Sequence, residues 1–169
     1  MADTTTTAPP KQPTTGDVAL LSTAIGLELA MIDLYGRAVA ASSGQMKTVA
    51  QLFGENHRAA AQALSGLVGR KAPTSRDADF FSANSAAAGD ADAKKLADAM
   101  AGLENSLVAT HIEVLGKLQG IDGANLVASI IPTEARQATV LVGLAGKTSL
   151  DDVLAFDPTA VVGADKKSA

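Results

Sequence analysis

Apolar residues recur at intervals of three and four along four long stretches of this chain, a pattern that predicts amphipathic helices. Asp, Ser and Gly residues at the ends of the stretches mark where the helices begin and end. The predicted helices cover residues 18–41, 45–68 and 91–118 and, after a Gly-Ile-Asp-Gly turn, a stretch that includes Ile130 and ends at Leu144.

The connections between these helices predict how they are arranged. Residues 42–44 form a short turn, which favours an antiparallel hairpin of the first two helices. Residues 70–90 show no sustained period. About 20 extended residues reach ~66 Å, so this segment can cross a helix of ~38 Å. Phe80 and Phe81 are its expected anchors. The predicted fold is an all-α four-helix bundle with a long crossover between helices two and three.

The two ends of the chain are predicted to lie outside this bundle. Residues 1–16 are rich in Thr and Pro and have no apolar period, so we expect a disordered N-terminal arm. Residues 17–146 form the predicted bundle. Residues 147–169 form a tail with a short helix over 150–156, capped by Ser149.

Composition excludes several classes of function. The chain of 169 residues has no Cys, so it forms no disulfides or thiolate metal sites, and we expect a cytoplasmic protein. A net charge of -4 and 3% aromatic residues argue against nucleic-acid binding. The first helix is apolar enough to span a membrane, but Glu28, Asp33 and Arg37 interrupt it. Charges at mid-span are expensive, so we predict no membrane span.

Each predicted helix carries one glutamate in its apolar seam, near the middle of its length. A carboxylate that faces an apolar core costs several kcal/mol unless a cation, a proton or hydrogen bonds compensate it. Four such carboxylates at one level of a bundle indicate a pair of divalent metal ions. For any one of them, the alternative is an error in helix phase that leaves the residue in solvent. The four are Glu28, Glu55, Glu104 and Glu134.

Three other polar residues lie near these glutamates in the sequence. Tyr35 and His111 share the seams of Glu28 and Glu104. We expect His111 to be either a metal ligand or a core histidine bonded to a neighbour such as Tyr35. His57 is two residues from Glu55, about 200° around the helix, so we predict that it faces solvent.

The four helical segments resemble those of small bacterial ferritin-like-domain proteins. The segments that carry this resemblance are IGLELAMIDLY, FGENHRAAAQAL, LENSLVATHIEVLGKL and IIPTEARQATVL. The resemblance implies a ferritin-like bundle of the di-iron or di-manganese carboxylate class, and therefore an Fe or Mn pair as the cofactor if metal is bound. Such bundles take one Glu from each of two helices and Glu-x-x-His from each of the other two.

The sequence departs from this family pattern at both histidines. In the comparison, Glu55 and Glu134 match the first members of the two Glu-x-x-His pairs. Arg58 and Gln137 stand where the histidines would follow. If metal is bound, the carboxylates and the Gln137 oxygen form an all-oxygen site, which favours hard ions such as manganese, magnesium or calcium. If no metal is bound, Arg58 replaces it by bridging the carboxylates.

Two hypotheses of function follow from this departure. The first is a degenerate ferritin-like protein with a metal-free or weakly metal-binding core, which acts as a binding or structural component and is not an enzyme. Its protein partner is unknown, and a homo-oligomer is one of the alternatives. The second is a di-metal carboxylate oxidase or iron-handling protein that uses O₂ or peroxide.

Overall fold

The computed structural model describes residues 8–163, and no strand occurs among them. Alanine-rich, apolar segments between Ser, Asp and Gly caps form its helices, as the pattern of the sequence predicts. The α-helices are α1 (Thr15–Ala41), α2 (Gly44–Val68), α3 (Ala78–Asn84), α4 (Ala93–Leu115), α5 (Ile121–Leu144) and α6 (Leu150–Leu154). The four long helices α1, α2, α4 and α5 form the bundle, so the predicted all-α fold is confirmed.

The bundle consists of two helical hairpins joined by the crossover. Helix α1 packs along α2, and α4 packs along α5. The crossover contains α3, which lies against α1 because the backbone N–H of Asp77 donates to the carbonyl of Gly26 at 2.8 Å. Phe80 is buried, and the guanidinium of Arg76 lies 3.7 Å from the centre of the Phe81 ring. The crossover therefore follows the bundle closely, as predicted.

The hydrophobic core is divided into two clusters along the bundle. Each long helix contributes to both, and a polar residue lies between its two contributions. In α1, for example, Glu28 lies between Ile25 of one cluster and Met31 of the other. In α4, His111 lies between Leu107 and Val114 in the same way. A layer of polar side chains therefore crosses the middle of the bundle, between two apolar regions.

The N-terminus differs from its prediction. Helix α1 begins three residues earlier than expected because Thr14 is the N-cap, in a capping box with Asp17. Residues 10–12 are also ordered, since the carbonyls of Pro10 and Lys11 accept from the first N–H groups of α5, both at 3.0 Å. The prediction of a disordered arm is wrong for residues 10–16. Residues 1–7 lie outside the described part of the chain.

The C-terminal tail contains the predicted short helix. Ser149 caps α6 by accepting from the N–H of Asp152. Further along, the N–H of Val162 donates to the hydroxyl of Thr110 at 2.9 Å, which holds the tail against α4. Residues 164–169 lie outside the described part of the chain.

Within residues 8–163, only α1 has the length and composition of a membrane span. Its most apolar stretch has a mean hydropathy of 1.6, and 56% of that stretch is buried inside the bundle. Core helices of bundles share this length and composition.

Candidate metal centre

The polar layer consists of six buried side chains from all four long helices. None is more than 3% exposed, and three are carboxylates that the apolar seams predicted. They are Glu28 of α1, His57 of α2, Glu104 and His111 of α4, and Glu134 and Gln137 of α5. Three of the predicted carboxylates, those of Glu28, Glu104 and Glu134, therefore lie together in the core.

Two predicted members of the site are on the surface instead. The side chain of Glu55 is 68% exposed, that of Arg58 is 50% exposed, and their ion pair joins them at 3.2 Å along one face of α2. The error is one of helix phase. Leu52, which lies on the same side of α2 as Glu55, is 59% exposed, whereas the buried face runs through Phe53 and His57. Arg58 therefore cannot replace a cation in the core, and His57 does not face solvent.

His57 lies between two carboxylates. Its Nδ1 is 2.7 Å from Oε2 of Glu28, and its Nε2 is 3.1 Å from Oε1 of Glu104. The ring stacks on Tyr35, with 5.4 Å between the ring centres and 24° between the ring planes. The Tyr35 hydroxyl donates to the same oxygen of Glu104. The hydrogen bond between His111 and Tyr35 that we considered is absent, because the Tyr35 hydroxyl bonds to Glu104 and His111 bonds to Glu134.

His111 occupies the other half of the layer. Its Nδ1 is 2.9 Å from Oε2 of Glu134, so a proton on Nδ1 is donated to that carboxylate. Its Nε2 faces Oε1 of Glu28 at 3.6 Å and carries a lone pair when the ring is neutral. Neither of these two atoms has a hydrogen-bond partner. Two electron-rich atoms this close in a buried site repel one another unless a cation or a proton lies between them. Burial lowers the pKa of His111, but the charges of Glu134 and Glu28 and the hydrogen bond to Glu134 outweigh it and raise that pKa, which favours a proton on Nε2 when no metal ion is bound.

Burial and mutual proximity shift the pKa values of the layer. Burial alone lowers the pKa of His57, but the charges of Glu104 and Glu28 and their hydrogen bonds outweigh it and raise that pKa well above its usual value. Burial raises the pKa of Glu134 to about 7, against the opposing effect of His111. Burial and the charge of Glu104 raise the pKa of Tyr35, so its hydroxyl keeps its proton and remains a donor. In the absence of other positive charge, the raised pKa values of His57, Glu134 and Tyr35 therefore favour the protonated forms of these side chains.

The unsatisfied atoms of the layer test whether a metal ion fits. Buried polar atoms normally have hydrogen-bond partners. Here the atoms without one are Oε1 of Glu28, Oε2 of Glu104, Nε2 of His111, Oε1 of Glu134 and both amide atoms of Gln137. Nearly all of them are acceptors. Among the described residues, Glu28, His111 and Glu134 can each place one ligand atom within 4.8 Å of the others. This donor set suits a divalent cation.

His57 is the site residue that sequence reasoning missed. Its signal was present, because the large apolar residues Met46, Phe53 and Leu64 occur at intervals compatible with one face of α2. His57 lies four residues after Phe53 on that face. Alanines on the other faces of α2 obscured this pattern.

The fold is an all-helical bundle, and its core contains a buried layer of carboxylates and imidazoles. These two features place the protein among the helical bundles with a candidate metal centre in the core. The chain belongs to the ferritin-like domain family, whose model matches residues 16–147. The matched region begins in the first turn of α1 and extends just past α5. No curated protein and no solved structure matches this chain.

Proposed function

We propose that this chain is a ferritin-like domain with a degenerate centre, which binds one metal ion instead of two. In this proposal one divalent metal ion binds between Glu28 and Nε2 of His111, Glu134 orients the His111 ring, and the His57 imidazolium occupies the place of a second cation. The protein then acts by binding metal and does not act as a di-metal oxidase. The hypothesis of a degenerate site is kept, but its substituting cation is His57 instead of Arg58.

The observation that carries the proposal is the pairing of His111 Nε2 with Glu28 Oε1. These two buried atoms face each other at 3.6 Å without a hydrogen-bond partner, so we place a cation between them. Oε2 of Glu134 lies at the other nitrogen of His111, so Glu134 orients the ring and does not itself bind an ion on Nε2. A metal-binding histidine typically donates its second N–H to a carboxylate, as His111 does here.

The role of His57 follows from its two short contacts. Because both ring nitrogens lie within 3.1 Å of a carboxylate oxygen, a doubly protonated ring satisfies Glu28 and Glu104 together. An imidazolium in this position repels a second metal ion. Tyr35 stacks on the ring and donates to Glu104, so it fixes the ring and one of its two partners.

The donor atoms favour a particular group of metals. One imidazole nitrogen and carboxylate oxygens suit first-row ions such as iron and manganese better than calcium or magnesium, which prefer oxygen alone. When bound, such an ion would supply a Lewis-acidic centre. The side chains of the layer would hold that ion and fix the orientation of the His111 ring.

Metal titration of the purified, chelator-treated protein tests the proposal. We expect one equivalent of Mn²⁺ or Fe²⁺ per chain, measured by calorimetry and elemental analysis under anaerobic conditions for iron. His111→Ala removes the only nitrogen ligand and should abolish this binding. Glu55→Ala is the matched control, because Glu55 is a glutamate outside the layer, and it should leave the stoichiometry unchanged. Absence of metal binding in the unmodified protein would refute the proposal.

The second candidate is the di-metal oxidase, favoured by one specific observation. Oε2 of Glu104 is buried and has no hydrogen-bond partner, so it is a spare ligand next to His57. In that case His57 is a ligand, and the unmodified protein binds two equivalents.

Removal of the His57 ring separates the two candidates by the sign of the change. If His57 replaces a cation, His57→Ala vacates that place, and the stoichiometry rises from one toward two. If His57 is a ligand, the same substitution lowers the stoichiometry from two. His57→Gln, which retains hydrogen-bonding capacity, provides a second variant should the alanine variant fold poorly.

A further inference from the structure

A cleft of about 290 Å³ lies between α2 and α5 and reaches the polar layer. Its walls contain small or apolar side chains, and its inner end is polar. The wall residues are Ala59, Ala60 and Ala63 of α2 and Leu126 and Ile130 of α5. Glu28, His57, Glu134 and Gln137 line the inner end, and Asn56, Ser129 and Thr133 complete the lining. The two hairpins therefore leave a passage from the surface to the candidate metal centre.

Gln137 is the side chain that indicates a ligand in this cleft. It is 3% exposed, and neither its amide oxygen nor its amide nitrogen has a hydrogen-bond partner. A buried amide without partners costs free energy, because it loses its hydrogen bonds to water. A ligand that both accepts and donates a hydrogen bond would satisfy it, and a hydroxyl group does both.

We infer that the α2–α5 cleft binds a small neutral molecule with an alkyl body and a hydroxyl head, which Gln137 holds beside Glu134. The alanines and the two larger apolar residues contact the alkyl body. The volume is at the lower limit for a small-molecule pocket, so the ligand is compact.

Charge at the inner end argues for a neutral head. The carboxylates of Glu28 and Glu134 line it and repel an anion, and an organic cation would have to leave water beside the imidazole of His57. A charged organic head is therefore disfavoured at this buried end. A hydroxyl group avoids both penalties and keeps the hydrogen bonds to Gln137.

This inference rests on the proposed function in one respect, since it places the hydroxyl next to Glu134, which orients the proposed metal ligand His111. Binding in the cleft is nevertheless measured independently of metal. If 1-hexanol binds and metal does not, the cleft assignment stands and the metal centre is rejected. If metal binds and 1-hexanol does not, the cleft assignment is rejected and the metal centre stands.

The experiment is a titration of the ¹⁵N-labelled full chain with 1-hexanol, followed by NMR. We expect saturable shifts of the amide signals of Ala60, Ala63 and Gln137, with a Kd on the order of 1 mM for a ligand of this size. Hexanoate and hexylamine have the same alkyl body and opposite charges. Their Kd values should be at least about 10-fold higher than that of 1-hexanol.

Two variants of exposed alanines test the location. Ala63→Phe fills the cleft and should weaken 1-hexanol binding by more than about 10-fold, because the aromatic ring occupies the space that the ligand needs. Ala128→Phe introduces the same ring on α5 outside the cleft lining and should leave the affinity unchanged. Ala59→Phe, also in the cleft wall, replaces Ala63→Phe if that variant does not fold.

Gln137→Leu tests the role of the amide. It should weaken 1-hexanol binding several-fold while leaving the binding of xenon, a purely apolar probe for such spaces, intact. Four results would overturn the inference: no saturable shift, shifts that map elsewhere, tighter binding of either charged probe, or an unchanged affinity in both cleft-filling variants.

Discussion

His57 and Arg58 are adjacent in sequence, yet one lies in the polar layer and the other on the surface. His57→Ala leaves Glu28 and Glu104 buried without their shared partner. We expect it to lower the free energy of unfolding of the metal-free protein by about 3–5 kcal/mol, the cost of uncovering buried charge. Arg58→Ala should change it little, because exposed ion pairs contribute little. Urea unfolding at neutral pH measures both.

These two variants also decide which residue compensates the buried carboxylates. A large effect of Arg58→Ala with a small effect of His57→Ala would contradict the arrangement described above.

Asp17 joins the start of α1 to the turn between α4 and α5. Its carboxylate accepts from the N–H groups of Thr14, Gln119 and Gly120 at 2.8–2.9 Å. Burial acts to raise its pKa, but these hydrogen bonds together lower it below its usual 3.8. Because the charged form is favoured in the folded state, the stabilisation is complete above pH 3.8 and is lost as pH falls through the lower, folded-state pKa.

Asp17→Asn should therefore lower the stability at pH 7 by about 1–3 kcal/mol, the usual cost of disrupting a buried hydrogen-bonded group. The difference from the unmodified protein should shrink as pH falls below 3.8. Thermal unfolding over pH 2.5–7 measures it, with exposed Asp151→Asn as the control. A difference that grows toward low pH would contradict this linkage.

At the scale of the helix, sequence predicted the limits of α2 better than it predicted the buried face of that helix. The ends of α1 and α2 are fixed by local chemistry at Ser42 and Gly69, and both were correctly predicted. The buried face of α2 was not, because small residues cover much of its surface and weaken the contrast between its sides. Leu52 occupies the solvent side of this helix, so counting apolar residues gave the wrong phase.

The carboxylates of α1, α4 and α5 were predicted because larger residues define their seams. Leu107 of α4 and Leu141 of α5 are examples, since both are large, buried residues of the same apolar cluster. No comparable contrast marks His57, and its pairing with Glu28 and Glu104 depends on three helices at once. Contacts of this kind arise from helix packing and cannot be read from one helix alone.

Close contact of α1 and α2 depends on Gly54. A Cβ atom at this position would lie 3.2 Å from the Cβ of Tyr35, tighter than ordinary contact, whereas nothing lies within 4 Å of a Cβ at Gly36. Gly54→Leu should therefore destabilise the protein by about 1–3 kcal/mol through overpacking. Gly36→Leu should stabilise it slightly, since leucine is the better helix former.

Thermal unfolding of these two glycine variants gives the comparison. Equal effects of both substitutions would mean that Gly54 does not limit the approach of the helices. A selective change in the near-ultraviolet signal of Tyr35 in Gly54→Leu would locate the disturbance next to the polar layer.

For the whole molecule, the candidate ligands come from both hairpins, so metal binding and folding are coupled. At a metal concentration 100 times the Kd, binding to the folded state alone adds ~2.7 kcal/mol of stability. For a chain of this length, this corresponds to a rise in Tm of roughly 5–10 °C. Chelator should reverse the rise, His111→Ala should remove it and Glu55→Ala should retain it. An equal rise in His111→Ala would indicate binding elsewhere.

The division of the bundle into two hairpins also has a consequence for biosynthesis. The first hairpin, with Glu28, Tyr35 and His57, leaves the ribosome first. The second hairpin, with His111 and Glu134, follows only after the crossover has been synthesised. An emerging chain holding the first hairpin alone offers a carboxylate and an imidazole but lacks the remaining ligands. If the proposed metal site is correct, a nascent polypeptide therefore lacks a complete site, and the ion can bind only after α5 has been synthesised.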